Sequence, residues 1–361
     1  MDERPIGMFD SGFGGLTVAR AVIDLMPDEH LVYVGDTGRY PYGPRPLDEV
    51  RRFAHQITEL LVREHGVKLV VVACNTAASA APLGELEETF GVPVVGVIEP
   101  GTRSLVAATR SGRIGVIGTV GTVASGSYQR VVAGLRMDGE VELTCAACPG
   151  FVEFVEKGEF ASDQVHVLAE RLLAPVREAK VDTLLLGCTH YPFLARTIAD
   201  VMGRDVVLVS SADETAFEVL ARLDAEGLRV AGHPPPADAG LGPQPESLGD
   251  AAMLPAEPAA PSDPGPGRGD WRHRWLSSGD VTVFRELGRR LLGPELEHAE
   301  AAPWAQTSPC WGARGPTPVP TARAAATSCA ARARPSSSTW GRAAWPTCSG
   351  THRSPTSTPW C

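Results

Sequence analysis

Short apolar runs alternate with longer amphipathic stretches along most of the chain. Lys68-Leu69-Val70-Val71-Val72-Ala73 is the clearest run. Its consecutive valines predict a strand buried on both faces, as in a parallel sheet. It stops at Cys74-Asn75-Thr76, and the alanine-rich segment after it predicts a helix. Asp182-Thr183-Leu184-Leu185-Leu186-Gly187 repeats the pattern and stops at Cys188-Thr189-His190. Further strands are predicted over 5–9, 31–34, 93–98 (ended by Glu99-Pro100-Gly101) and 206–209. Helices are predicted over 16–26, 47–65, 164–178, 192–202, 212–226 and 281–292. In the second of these, Val50, Phe53, Ile57, Leu60 and Leu61 share one face.

At Arg113 the chain begins again, since Ile114-Gly115-Val116-Ile117-Gly118-Thr119 echoes Ile6-Gly7-Met8-Phe9-Asp10-Ser11. The stretch from Ile6 to Cys74 and that from Ile114 to Cys188 are of nearly equal length, as expected of a duplicated unit. The fold class expected is therefore α/β: two pseudo-symmetric open lobes with parallel-rich central sheets facing one cleft. Residues 1–98 and 208–300 are assigned to the first lobe and 99–207 to the second. From Gly232 to Asp270 the composition turns to Pro, Ala, Gly and Asp without periodicity, so 232–270 is expected to be a disordered insertion. Residues 301–361 contain no Asp, Glu, Lys, Leu or Ile. They are expected to form an unstructured tail, or to be a shifted reading of GC-rich DNA.

Composition narrows the function. With 361 residues there is room for two domains, and the net charge of −10 argues against non-specific nucleic-acid binding. No apolar run approaches the ~20 residues that span a bilayer. Asp2 and Glu3 precede an immediate strand, so no signal peptide is expected. The expectation is a cytoplasmic protein with reduced thiols and no membrane partner.

Three motifs could carry chemistry. Asp10-Ser11-Gly12-Phe13-Gly14-Gly15 joins a strand to a helix and could cradle an anion. Gly12, Gly14 and the later Asp36 partly fit a dinucleotide fingerprint, but Thr17 occupies the third glycine position and Asp10 would repel a pyrophosphate. A carboxylate oriented by Ser11 and the loop amides suits the site better. Cys145 and Cys148 form a C-x-x-C pair without the further ligands a zinc site needs, and both are read as structural thiols. In the proline-punctuated loop from Asp36 to Pro44, Tyr40 is read as part of a packed surface turn, and His55, His65 and His166 as helix-surface residues.

The third motif is the pair of strand-tip cysteines. A hydrolase would need one nucleophile, with His190 as base to Cys188, and would leave Cys74 unexplained. Two thiols on opposite sides of a substrate suit proton transfer between the two faces of a carbon. One thiolate removes a proton while the other thiol supplies one. Asp10 can serve Cys74, His190 can serve Cys188, and Glu156 can support the second pair.

These residues, with Tyr42-Gly43, Glu99-Pro100-Gly101, Tyr191-Pro192 and Ser278-Gly279-Asp280, resemble the glutamate racemase family of the aspartate/glutamate racemase superfamily. The likeness runs from Pro5 to Gly293 apart from the proline-rich insertion. It implies an amino-acid racemase that needs no cofactor and no metal and interconverts L- and D-glutamate for peptidoglycan. By the resemblance, Cys74 and Cys188 are the proton donors and acceptors, and an acid stands at the position of Glu156. Asp10, Ser11, Tyr42, Gly43, Asn75, Thr76, Thr189 and His190 hold the substrate. An aspartate racemase with a pocket one methylene shorter, and a binding protein that keeps the cleft without catalysis, are the alternatives. A homodimer is left open.

Overall fold

A computed structural model of the chain describes residues 2–135, 141–230 and 273–302. The expected insertion over 232–270 and nearly all of the expected tail lie outside the described residues.

Among the described residues, ten strands form two sheets: β1 (Ile6–Asp10), β2 (Leu31–Gly35), β3 (Leu69–Val72), β4 (Val94–Gly96), β5 (Arg113–Gly118), β6 (Glu142–Ala147), β7 (Thr183–Gly187), β8 (Val207–Val209), β9 (His273–Ser277) and β10 (Glu300–Ala301). The first sheet has the order β10-β9-β2-β1-β3-β4, the second β6-β5-β7-β8, and every pairing is parallel. The run β2-β1-β3-β4 thus matches β6-β5-β7-β8 strand for strand, and the echo between Ile6 and Ile114 opens the central strand of each. The first sheet is extended beyond β2 by strands from the far end of the described chain.

Parallel strands need helical crossovers that cover both faces, which is why β1, β2, β3 and β7 are buried along their whole length. The helix Leu47–His65 keeps the predicted bounds. Asp48 and Glu49 in its first turn and Arg63 and His65 in its last complement the macrodipole, and Gly66 at φ +59° ends it in the left-handed conformation. Under the first sheet, Trp275 on β9 and Tyr33 on β2 pack with ring centroids 5.8 Å apart, so the late strand shares the same core.

Three predicted elements differ, each through proline. Only Val94–Gly96 of the predicted strand 93–98 is extended, and Ile98–Ala108 is a helix. Pro100 sits in its first turn, where the missing N–H has no intrahelical role. The helix predicted over 164–178 is two, Asp163–Leu172 and Ala174–Glu178, with Pro175 opening the second. The helix over 192–202 begins as a 3-10 turn, Tyr191–Leu194, containing Pro192, before Ala195–Met202 turns α-helical.

The lobes are joined by specific polar contacts. Gly121 N donates to Gly43 O at 3.0 Å, and Thr76 Oγ1 lies 3.0 Å from Thr119 Oγ1 and 3.2 Å from Thr122 Oγ1. Among the described residues, no helix is long and apolar enough to cross a membrane.

Candidate active site

The carboxyl ends of five strands meet at one cavity, the place where open α/β sheets bind ligands. Ser11 follows β1, Cys74, Asn75 and Thr76 follow β3, and Thr119 follows β5. Cys148 follows β6, and Cys188, Thr189 and His190 follow β7. Tyr40, Tyr42 and Gly43 close one side, and Glu153 stands on another. The cavity holds about 620 Å³ of empty space with its open mouth included, which suits a small ligand. Both strand-tip cysteines line it, one from each lobe, and both are free thiols.

Asp10 is fully buried just below the floor. Its Oδ1 accepts from Gly12 N at 2.8 Å and its Oδ2 accepts from Thr189 Oγ1 at 3.2 Å. The glycine loop therefore spends an amide on the chain's own carboxylate. Its second purpose is close approach. A Cβ on Gly14 would lie 2.5 Å from both His190 Nδ1 and Thr189 Oγ1, so only glycine lets the second lobe press on this loop. Burial pushes the Asp10 carboxyl up from its ordinary pKa, while the nearby His190 charge and the donors from Gly12, Gly15 and Thr189 act against it.

The two sulfurs have unlike neighbours. Cys74 Sγ is 3.7 Å from Ser11 Oγ, and burial first, then the charge of Asp10, pushes its pKa up to about 12. It is a thiol at neutral pH. Cys188 Sγ is 3.9 Å from His190 Nδ1, and His190 Nε2 is 3.0 Å from Glu156 Oε1. Burial is the largest influence on His190 and pulls its pKa down. Hydrogen bonds to Cys188 and Glu156, with the charges of Cys188 and Asp10, overcome it and hold the imidazolium up to about 10.

Of the remaining sequence-predicted residues, Asn75 donates through Nδ2 to Tyr128 OH at 3.0 Å, while its buried Oδ1 has no partner among the described residues. Tyr42 and Gly43 line the cavity, but the Tyr42 hydroxyl donates to Asp36 and not into the open space. Glu156 touches His190 rather than the cavity wall.

Several contributors went unassigned in the sequence. Tyr40 is no surface turn: it lines the cavity 6.2 Å from the His190 ring, and its buried hydroxyl has no partner among the described residues. Cys148, read as structural, lines the same cavity, and burial pushes its thiol up to about 12; Cys145 on β6 does not line it. Thr119 stands one residue past β5, where the duplicate of Asp10 and Ser11 falls, so the internal repeat carried a signal for it. Tyr128 had none, because it reaches Asn75 from a helix of the other lobe. His55 packs against Phe90 with ring centroids 5.0 Å apart, while His166 is half-buried on its helix beside Glu170.

Comparison with known proteins places this geometry. A family model described as Asp/Glu/Hydantoin racemase matches residues 16–218. A glutamate racemase of Parafrankia is 47% identical over 304 residues, 84% of this chain and 96% of that protein. The crystal structure of a Bacillus anthracis glutamate racemase superposes with a TM-score of 0.68 at 35% identity, covering 84% of this chain and 98% of that one. A Francisella tularensis glutamate racemase, solved with D-glutamate, gives a TM-score of 0.67 at 27% identity over the same shares. The protein is thus an enzyme of the amino-acid racemase class. More particularly, the chain belongs to the Asp/Glu/Hydantoin racemase family.

Proposed function

We propose that the chain interconverts L- and D-glutamate without a cofactor, through Cys74 and Cys188 acting on opposite faces of Cα. The observation that carries this reading is one cavity lined by a free thiol from each lobe, each with its own polar neighbour. The thiolate on one side takes the Cα proton, and the electron pair left behind delocalises into the α-carboxyl group. The thiol on the other side returns a proton to the opposite face, so each turnover exchanges the protonation states of the two sulfurs. Starting from Cys188 as thiolate, the imidazolium of His190 offsets its charge, and Glu156 holds the ring in place. Starting from Cys74, the Ser11 hydroxyl faces the sulfur and Asp10 is the nearby proton acceptor. The unpartnered Asn75 Oδ1 is an acceptor for the substrate ammonium, and Ser11, Thr76 and Thr189 offer hydroxyls to its carboxylates.

In this reading the division into residues 1–98 with 208–300 and 99–207 separates the two thiols. The product is D-glutamate for peptidoglycan, made in the cytoplasm. The assay is circular dichroism of L-glutamate, and separately of D-glutamate, with purified protein and no added cofactor. Ellipticity should decay to zero from either side. Decay with aspartate and none with glutamate would favour the shorter substrate.

A further inference from the structure

A buried polar junction beside the cavity joins two segments far apart in sequence. Asp36, one residue past β2, is fully buried. Its amide donates to Asp10 O at 2.9 Å. Its Oδ2 accepts from Arg39 Nε at 2.6 Å and from the Tyr42 hydroxyl, and its Oδ1 accepts from Ser278 Oγ at 2.6 Å. Ser278 belongs to the turn after β9. The same turn places Ser277 Oγ 2.7 Å from Thr37 Oγ1, accepts from Gly38 N on Ser278 Oγ at 3.0 Å, and donates from Gly279 N to Thr37 Oγ1 at 3.0 Å. A Cβ at Gly38 would stand 2.8 Å from Ser278 O, and one at Gly279 2.7 Å from Thr37 Oγ1, so both glycines serve the approach.

Beyond Asp36 the contacts lead into the cavity. Tyr42 and Gly43 form one wall, and Gly43 O accepts from Gly121 N of the second lobe. Sheet packing alone would be met by Trp275 and Leu276 in the core. It does not call for a buried carboxylate whose oxygens are divided between the late turn and a cavity-wall tyrosine.

We propose that Ser278 and Asp36 are positioning residues for substrate binding. They hold the Tyr42–Gly43 wall at its separation from the second lobe, and so tie the cavity's shape to the turn after β9. The inference rests on the racemase reading for its substrate. Ser278→Ala removes the donor to Asp36 while leaving the thiols, Asp10 and His190 untouched. It should raise KM for both enantiomers by about three- to tenfold, a fraction of what a hydrogen bond to a charged group is worth because the effect reaches the substrate through the wall, with kcat within about twofold. Ser278→Thr, which keeps the hydroxyl, should restore KM. Tyr42→Phe cuts the same strut at its other end, so the double variant should raise KM no further than the larger single change.

Affinity for an equilibrated D,L-glutamate mixture, measured by calorimetry, gives the same comparison independently of the rate of turnover. A wild-type protein that binds glutamate but does not racemise it would sink the two-thiol reading, and the dissociation constants of the variants would still decide this one. The proposal is overturned by an unchanged KM and dissociation constant in Ser278→Ala. It is equally overturned by effects of Ser278→Ala and Tyr42→Phe that multiply, or by a kcat loss that Ser278→Thr does not repair. If Ser278→Ala does not fold, Thr37→Val, which breaks the same junction at a half-buried position, takes its place with the same expectations.

Discussion

Thr189, at the tip of the second lobe's central region, donates its hydroxyl across the cleft to the carboxylate of Asp10 at the tip of β1, at 3.2 Å. A residue one step from one thiol thus bonds to the acid beside the other. Thr189 is among the groups that hold the Asp10 pKa down against burial. Thr189→Val should push Asp10 further up, so the acid limb of the kcat/KM profile should move to higher pH. Thr189→Ser should leave the limb in place. A pH–rate series on the three proteins checks this.

Replacing either sulfur should stop racemisation while sparing half of the chemistry. Cys74→Ser and Cys188→Ser should each lose about 10²–10⁴-fold or more in racemisation rate. Each should still exchange solvent deuterium into Cα of one enantiomer, the opposite one in the two variants. Equal loss of exchange with both enantiomers in both variants would refute one thiol per face.

His190 makes stability depend on pH in a definite direction. Its folded pKa, about 10, lies above the ordinary histidine value of 6.5, so the folded state holds a proton that the unfolded chain gives up first. The stabilisation is complete below about pH 6.5 and is lost as pH rises toward 10. Cys74, raised from 9.0 to about 12, extends the same downward slope above pH 9. The thermal midpoint should therefore fall between pH 7 and pH 10. Glu156→Gln removes a group that holds the imidazolium, so the fall should still begin near pH 6.5 but end at lower pH and be smaller. A midpoint flat over that range would contradict the assignment.

At the opposite end of the first sheet, Lys68 Nζ meets Glu29 Oε2 at 2.6 Å with both side chains buried, and also donates to Asp2 O at 2.7 Å. Glu29 Oε1 accepts from Val230 N at 3.0 Å. Lys68→Met strands a buried carboxylate and should cost about 3–5 kcal/mol in urea unfolding. Lys68→Met with Glu29→Gln should recover part of that loss, since the stranded charge is gone.

The glycine loop gives a test of contact between the lobes. Gly14→Ala should drive His190 and Thr189 off their partners and lower kcat/KM by about 10²-fold, as misplacement of a reacting group does. Steady-state kinetics beside a circular-dichroism check of folding would measure it.

What the sequence disclosed, and what it withheld, follows from the range of the interactions involved. The strands ending at Cys74 and Cys188 were legible because burial on both faces writes an unbroken apolar run, and polar residues then mark the tip. The duplication was legible because two central strands carry the same small and apolar residues. Helix limits near Pro100, Pro175 and Pro192 were not, since proline both opens helices and breaks them, and periodicity does not distinguish the cases. Tyr40 and Cys148 were misplaced for a different reason. Whether a residue borders a cavity depends on what the other lobe brings against it, and neighbouring positions do not record that. The Tyr42 hydroxyl points at Asp36, a carboxylate whose other oxygen is met by Ser278, more than two hundred positions later.

The matched strand orders of the two sheets have a thermodynamic counterpart. Mirror-image amino acids have equal free energies in water, so an enzyme that interconverts them must show the same kcat/KM in both directions. A repeated scaffold offers each antipode a comparable approach, yet a serine attends one sulfur and a histidine the other. That inequality can surface only as turnover and saturation that differ together, the faster direction always requiring proportionately more substrate.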